Sequence, residues 1–138
     1  MEVKMSNEIW RILIAVAVAG HGIGHVFFLV PSLGLAKWGQ SGHSWLLSRF
    51  GEAVVRPVGS LLWLLAIIGF VAAGFGIFDM QGWWRSLAIA SAAISLLGIT
   101  LFFDGLPFNP TINPVIFDVA VLVALLLARW PSASLIGS

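Results

Sequence analysis

Apolar positions fall in four long runs along this chain, set apart by short segments rich in glycine, proline and polar residues. The runs cover roughly residues 9–30, 56–78, 83–103 and 113–130. Each approaches the ~20 residues that a helix needs to cross ~30 Å of hydrocarbon. Lipid tolerates only helices or closed barrels, and none of the runs shows the period-two alternation of a strand. The pattern predicts an all-α integral membrane protein: a single domain over residues 1–138, built as an up-down bundle of four transmembrane helices.

The boundaries follow from the turn-forming residues. Pro31 is expected to end the first helix, residues 79–82 to make a tight link, and Pro107, Pro110 and Pro114 to break the chain before the fourth. Pro57 and Pro114 are expected near the first helical position, where proline's missing N–H costs nothing. The first run is expected to be retained rather than cleaved. It exceeds the ~7 to 15 residues of a signal core, continues through Phe27, Phe28 and Leu29, and meets Pro31 where a small-residue cleavage site would stand.

Up-down topology puts both chain ends and the 79–82 link on one face, here the terminal face. The 31–55 and 104–113 connections lie on the other, the loop face. Trp10, Trp83, Trp84 and Trp130 all fall at the terminal face, where tryptophan marks a membrane-water boundary. Lys4, Arg11, Arg85 and Arg129 lie there, against Lys37, Arg49 and Arg56 at the loop face, which places the termini on the cytoplasmic side of an inner membrane. Residues 44–52, SWLLSRFGE, are read either as a short interfacial helix with Trp45 and Phe50 dipping into the bilayer or as an irregular loop.

Composition agrees with this placement. The chain is 59% hydrophobic and 9% charged over 138 residues, too short to bury that much apolar surface within itself, so the bilayer is its main partner. The net charge of +1 comes from scattered single cations, which excludes a nucleic-acid surface. The absence of cysteine excludes disulfides and thiolate-ligated metals. Association between helices in lipid relies on small residues, and each run carries some at four-residue spacing. They are Gly20 and Gly24; Gly69 and Ala73; Ala88 with Ala92 and Ser91 with Ser95; and Ala120, Ala124 and Ala128. These stripes serve packing within one chain, a homo-oligomer or a larger membrane complex.

The residues that break the apolar pattern carry the candidate chemistry. Within AGHGIGH (residues 19–25), His21 and His25 lie about 40° apart on one helix face, with Gly20 and Gly24 beside them. Ionisable groups inside a membrane usually face the bundle interior and mark function. Asp104, Asp118, Glu52, Arg56 and His43 belong to the same loop-side half. A pocket is expected to open toward the loop face, with His21 as floor, His25 nearer the mouth, and Arg56, Asp104 and Asp118 at the rim. Asp118 reads equally well as a charge at headgroup level, because its face of the fourth helix is not that of the alanine stripe.

Several chemistries fit two imidazoles at i and i+4. They could share a metal ion, with a carboxylate or His43 as a further ligand. Haem would need His43 as the opposite axial ligand. A quinone or other lipophilic molecule needs one donor and an apolar slot, and proton relay needs only a group that titrates near neutrality. Alternatively, the imidazoles simply tie helices together through Ser91, Ser95, Thr100 or a backbone carbonyl. No Walker loop, nucleophile elbow or paired intramembrane carboxylates are present, so catalysis by the chain alone is not expected.

With HGIGH in the first run, VRPVGSLLWLLA (residues 55–66) opening the second and tryptophans at 83 and 84 opening the third, the chain resembles a family of small bacterial four-helix membrane proteins. It is also loosely similar to DoxX-like proteins through the HG of the first helix. The resemblance implies a four-helix membrane fold and, because some DoxX-like proteins are associated with quinone-linked sulfur oxidation, a quinone as one candidate cofactor. DoxX-like proteins carry Lys or Arg soon after the HG, where this chain has Ile23, Gly24 and His25. The reading reached from sequence is a small membrane protein with a His-lined pocket for a lipophilic ligand, or an accessory subunit of a membrane complex. The alternatives are a quinone-, haem- or metal-binding redox subunit and a purely structural subunit.

Overall fold

The computed structural model describes residues 6–136, all of whose regular elements are helical. Four helical segments are long and apolar enough to span a membrane: Asn7–Ser32, Glu52–Phe78, Trp84–Gly105 and Phe108–Leu127. The first comprises α1 (Asn7–Gly24) and α2 (Val26–Ser32), joined at His25. The others are α3 (Glu52–Phe78), α4 (Trp84–Phe102) and α5 (Phe108–Leu122), the last continuing as a wider π-helical segment over Val123–Leu127. A short α6 (Ala133–Ile136) folds back and buries Ile136 beside α1.

Helix α3 is central. It packs closely against α1 on one side and α4 on the other, and α4 in turn holds α5. Glycine makes these approaches possible. A Cβ on Gly22 would stand 2.7 Å from the Phe70 Cβ, one on Gly74 2.7 Å from the Ala19 Cβ, and one on Gly98 2.7 Å from the Trp63 ring. No comparable backbone approach joins α1 to α5, so the bundle is open along that seam among the described residues.

Several sequence expectations need correction. The helices run through their prolines: Pro31 lies inside α2, Pro57 well inside α3, and Pro114 inside α5, which starts at Phe108. At Pro31 the cause is visible. Its missing N–H leaves the Phe27 carbonyl without its usual i+4 donor, and the buried Gln40 amide supplies one from the loop at 2.7 Å. Residues 44–52 form turns and one 3₁₀ turn, Ser48–Phe50, rather than an amphipathic helix. This loop is pinned to the end of α4, with Ser44 Oγ donating to the Leu101 carbonyl at 2.6 Å and the Trp45 indole to the Thr100 carbonyl at 2.8 Å. These are carbonyls that a helix end leaves unpaired.

The stripes are likewise only partly interior. Gly69, Ala73, Ala88, Ala92, Ser91 and Ser95 are buried, whereas Gly20, Gly24, Ala120 and Ala128 are exposed. Trp84, expected at the membrane boundary, is a core residue held against Gly76, while Trp10, Trp83 and Trp130 stay at the surface. Lys4, which tips the charge balance between the faces, lies outside the described residues.

Candidate functional site

Helix α1 presents Ala15, Val18, Gly22 and His25 to the interior in a stripe at three- and four-residue spacing. His25 is fully buried at the junction of α1 and α2. Its backbone N–H turns to the Gly22 carbonyl at 3.1 Å, and its Nδ1 lies 3.0 Å from the His21 carbonyl. A carbonyl only accepts, so Nδ1 carries the proton. In the neutral imidazole Nε2 then accepts from the Ser95 hydroxyl of α4, 2.6 Å away. Both nitrogens of His25 are thereby committed to structure.

His21, one turn earlier, has a different environment. Its Nε2 lies 2.8 Å from Oδ1 of Asp118 on α5, and Asp118 is completely buried. The imidazole stacks on Phe117 at 4.0 Å between ring centroids and meets the Phe70 and His25 rings edge-on. Asp118 is therefore not an exposed charge but the partner of His21 across the open α1–α5 seam. Its second oxygen, Oδ2, is buried with no hydrogen-bond partner among the described residues.

The 2.8 Å contact puts one proton between Nε2 and Oδ1, and the carboxyl group thereby fixes the orientation of the imidazole. The other ring nitrogen, Nδ1, makes no hydrogen bond among the described residues.

His21 borders a groove. A cavity of about 520 Å³ runs between the first and fourth spans, with His21 and His25 set among Ala17, Gly24, Phe27, Phe28, Pro114 and Phe117. Gly24 bounds the groove rather than packing, and nothing lies within 4 Å of where a Cβ on Gly20 or Gly24 would stand. A smaller apolar crevice of about 250 Å³ continues along the same seam toward the terminal face, sharing Ala17 and Phe117 and bordered by Ala120, Ala124 and Trp84.

The remaining expected site residues lie elsewhere. His43 and Asp104 pair with each other on the loop face, and the Trp45 backbone N–H reaches Asp104 Oδ1 at 3.2 Å. His43 therefore does not join His21 and His25, and a haem axially held by His43 finds no support in this arrangement. Arg56 borders a separate cavity and donates to the Leu33 carbonyl at 2.9 Å. His43 and Arg56 thus border one cavity and His21 and His25 another. Ligand atoms of His21, His25 and Asp118 lie within 4.8 Å of one another, a set that could hold a metal ion.

Sequence reasoning missed Phe117, Phe70 and Gln40. Phe117 adjoins Asp118, so whatever faces Asp118 to α1 brings the ring with it. Gln40 answers a carbonyl that Pro31 orphans, a need visible in the sequence once the helix is known to continue.

In comparisons with known proteins, no family model, no curated protein and no solved structure matches this chain. Function is therefore argued from the site itself.

Proposed function

We propose that this membrane protein binds a lipophilic molecule in the α1–α5 seam, with the molecule's polar head hydrogen-bonded to His21. The observation that carries this reading is the buried His21–Asp118 pair beneath an apolar groove open to the side. Apolar walls with a few fixed polar groups are the usual makeup of a ligand site. Asp118 serves to hold the imidazole in orientation. The complementary head is a single oxygen-bearing group, which a quinone or a lipid ester offers.

Native mass spectrometry of the detergent-purified protein tests this directly. A lipophilic species should travel with the native chain and be lost from His21→Leu, while Gly20→Ala retains it. Equal retention by both variants would sink the reading. The same spectra report any second copy or accessory chain, and the small residues left open along the seam support such association as a further proposal.

A metal-binding reading is favoured by one observation, the unpartnered Oδ2 of Asp118 within reach of two histidines. Two imidazoles and a carboxylate suit zinc or a similar divalent transition metal. The ion would have to displace Ser95 or the His21 carbonyl from His25, which is why the lipophilic reading ranks first. Elemental analysis decides it: a stoichiometric metal lost in Asp118→Asn would reverse the ranking. We also place both termini on the cytoplasmic side of the inner membrane. Because the chain has no cysteine, labelling of single cysteines introduced at Ser132 and Ser41 reads that orientation without background.

A further inference from the structure

The loop face holds a second cavity, of about 430 Å³, which the His21 site does not use. Lys37, Glu52 and Arg56 stand at its rim, and Val55, Trp63 and Phe102 line its depth. Arg56 and Trp63 are seven residues apart on α3, a drop of about 10 Å at ~1.5 Å per residue. The cavity thus descends from headgroup level into the apolar layer, along walls of opposite character.

Arg56 is deliberately placed. Its guanidinium lies over Gly34, where a Cβ would collide with Nη2 and stand 2.8 Å from Cζ. Gly34 also has φ +75, a backbone conformation that favours glycine. The only hydrogen bond the guanidinium makes among the described residues is to the Leu33 carbonyl. No carboxylate of the described residues lies within ion-pair distance of it, although Glu52 shares the cavity. His43 is already paired with Asp104. Two cations against one unpaired carboxylate leave the rim with a surplus positive charge, and most of Arg56's five N–H donors are free.

We propose that this cavity binds an anionic phospholipid, with Arg56 and Lys37 on the phosphate and the Trp63–Phe102 wall against the proximal acyl chain. Arginine's planar fork matches phosphate oxygens two at a time, and its stem lies at the depth where headgroups are found. The apolar floor selects an amphiphile over a free anion.

The test compares native protein in nanodiscs of phosphatidylcholine with and without phosphatidylglycerol, reading bound lipid by native mass spectrometry and thermal stability. Phosphatidylglycerol should be retained preferentially and raise the midpoint. Arg56→Gln should lower its retention roughly tenfold or more. Lys37→Gln, on an exposed loop position where folding is not at stake, should weaken it less. Gly20→Ala, where an added methyl group meets nothing, should leave it unchanged. Equal retention of the two lipids, or unchanged preference in both Arg56→Gln and Lys37→Gln, overturns the proposal. So does stabilisation by inorganic phosphate in pure phosphatidylcholine with none from phosphatidylglycerol, which would assign the site to a soluble anion.

Discussion

His21 on α1 and Asp118 on α5 meet at 2.8 Å across the α1–α5 seam, where the described helix backbones do not close on each other. The pair, with Phe117 stacked on the imidazole, therefore bridges the first and fourth spans. Removing one partner strands a buried polar group, whereas removing both strands none. His21→Leu and Asp118→Leu should each destabilise the protein by about 3–5 kcal/mol, within the range for broken buried pairs. The double variant should cost clearly less than their sum. Unfolding in mixed micelles measures this cycle, and strict additivity would show that the two side chains are not coupled.

Of the glycines around the histidines, only Gly22 is a packing residue. Gly22→Ala pushes a methyl group into the Phe70 Cβ and the α3 backbone, with the Ile67 carbonyl and Val71 nitrogen each at 3.2 Å. It should cost about 1–3 kcal/mol, as overpacking does. Gly20→Ala and Gly24→Ala meet nothing and should stay within about 0.5 kcal/mol. Melting curves of the three variants check the order, and a Gly20 variant as damaged as the Gly22 variant would contradict it.

This difference shows what could be read from the chain. Membrane spans are legible because lipid imposes a length and a composition on them, and the four were located to within a few residues except at the prolines. Helix phase is less legible. In AGHGIGH the glycines at 20 and 24 catch the eye as a four-spaced pair, yet the interior stripe is Ala15, Val18, Gly22 and His25. Phasing the helix on the buried His25 would have found it. The His21–Asp118 contact was beyond sequence because it depends on how α5 is rotated, and the alanine stripe of that helix pointed to a different face. Arg56 and Asp104 were grouped with the histidines by depth alone, a coordinate that says nothing about which side of α3 a residue occupies.

Gly69 and Ser91 offer a compensating pair between α3 and α4. A Cβ on Gly69 would collide with the Ser91 hydroxyl and lie 3.2 Å from its Cβ. The hydroxyl itself only donates back to the Leu87 carbonyl within its own helix, at 2.7 Å. Ser91→Ala should therefore be mild, and Gly69→Ala should cost about 1–3 kcal/mol. Combining them should recover a large part of that cost, since the remaining contact asks for a shift of tenths of an ångström. Equal stability of Gly69→Ala with and without Ser91→Ala would place the strain elsewhere.

Pro31 and Gln40 act as a pair at the end of α2. Pro31 cannot donate to the Phe27 carbonyl, and the buried Gln40 amide does so instead at 2.7 Å, tying the first loop to the end of α2. Gln40→Leu should cost about 1–3 kcal/mol by leaving a carbonyl without a donor in an apolar setting. Pro31→Ala restores a backbone N–H at that position. It should therefore rescue the Gln40→Leu background while doing little in the native one, where the carbonyl already has a partner. If the rescue fails, Gln40 matters for closing the loop over the cavity beside it, and phosphatidylglycerol retention should then fall together with stability. If it succeeds, the loop is held chiefly by Ser44 and Trp45 at the end of α4, and lipid retention should survive in the double variant.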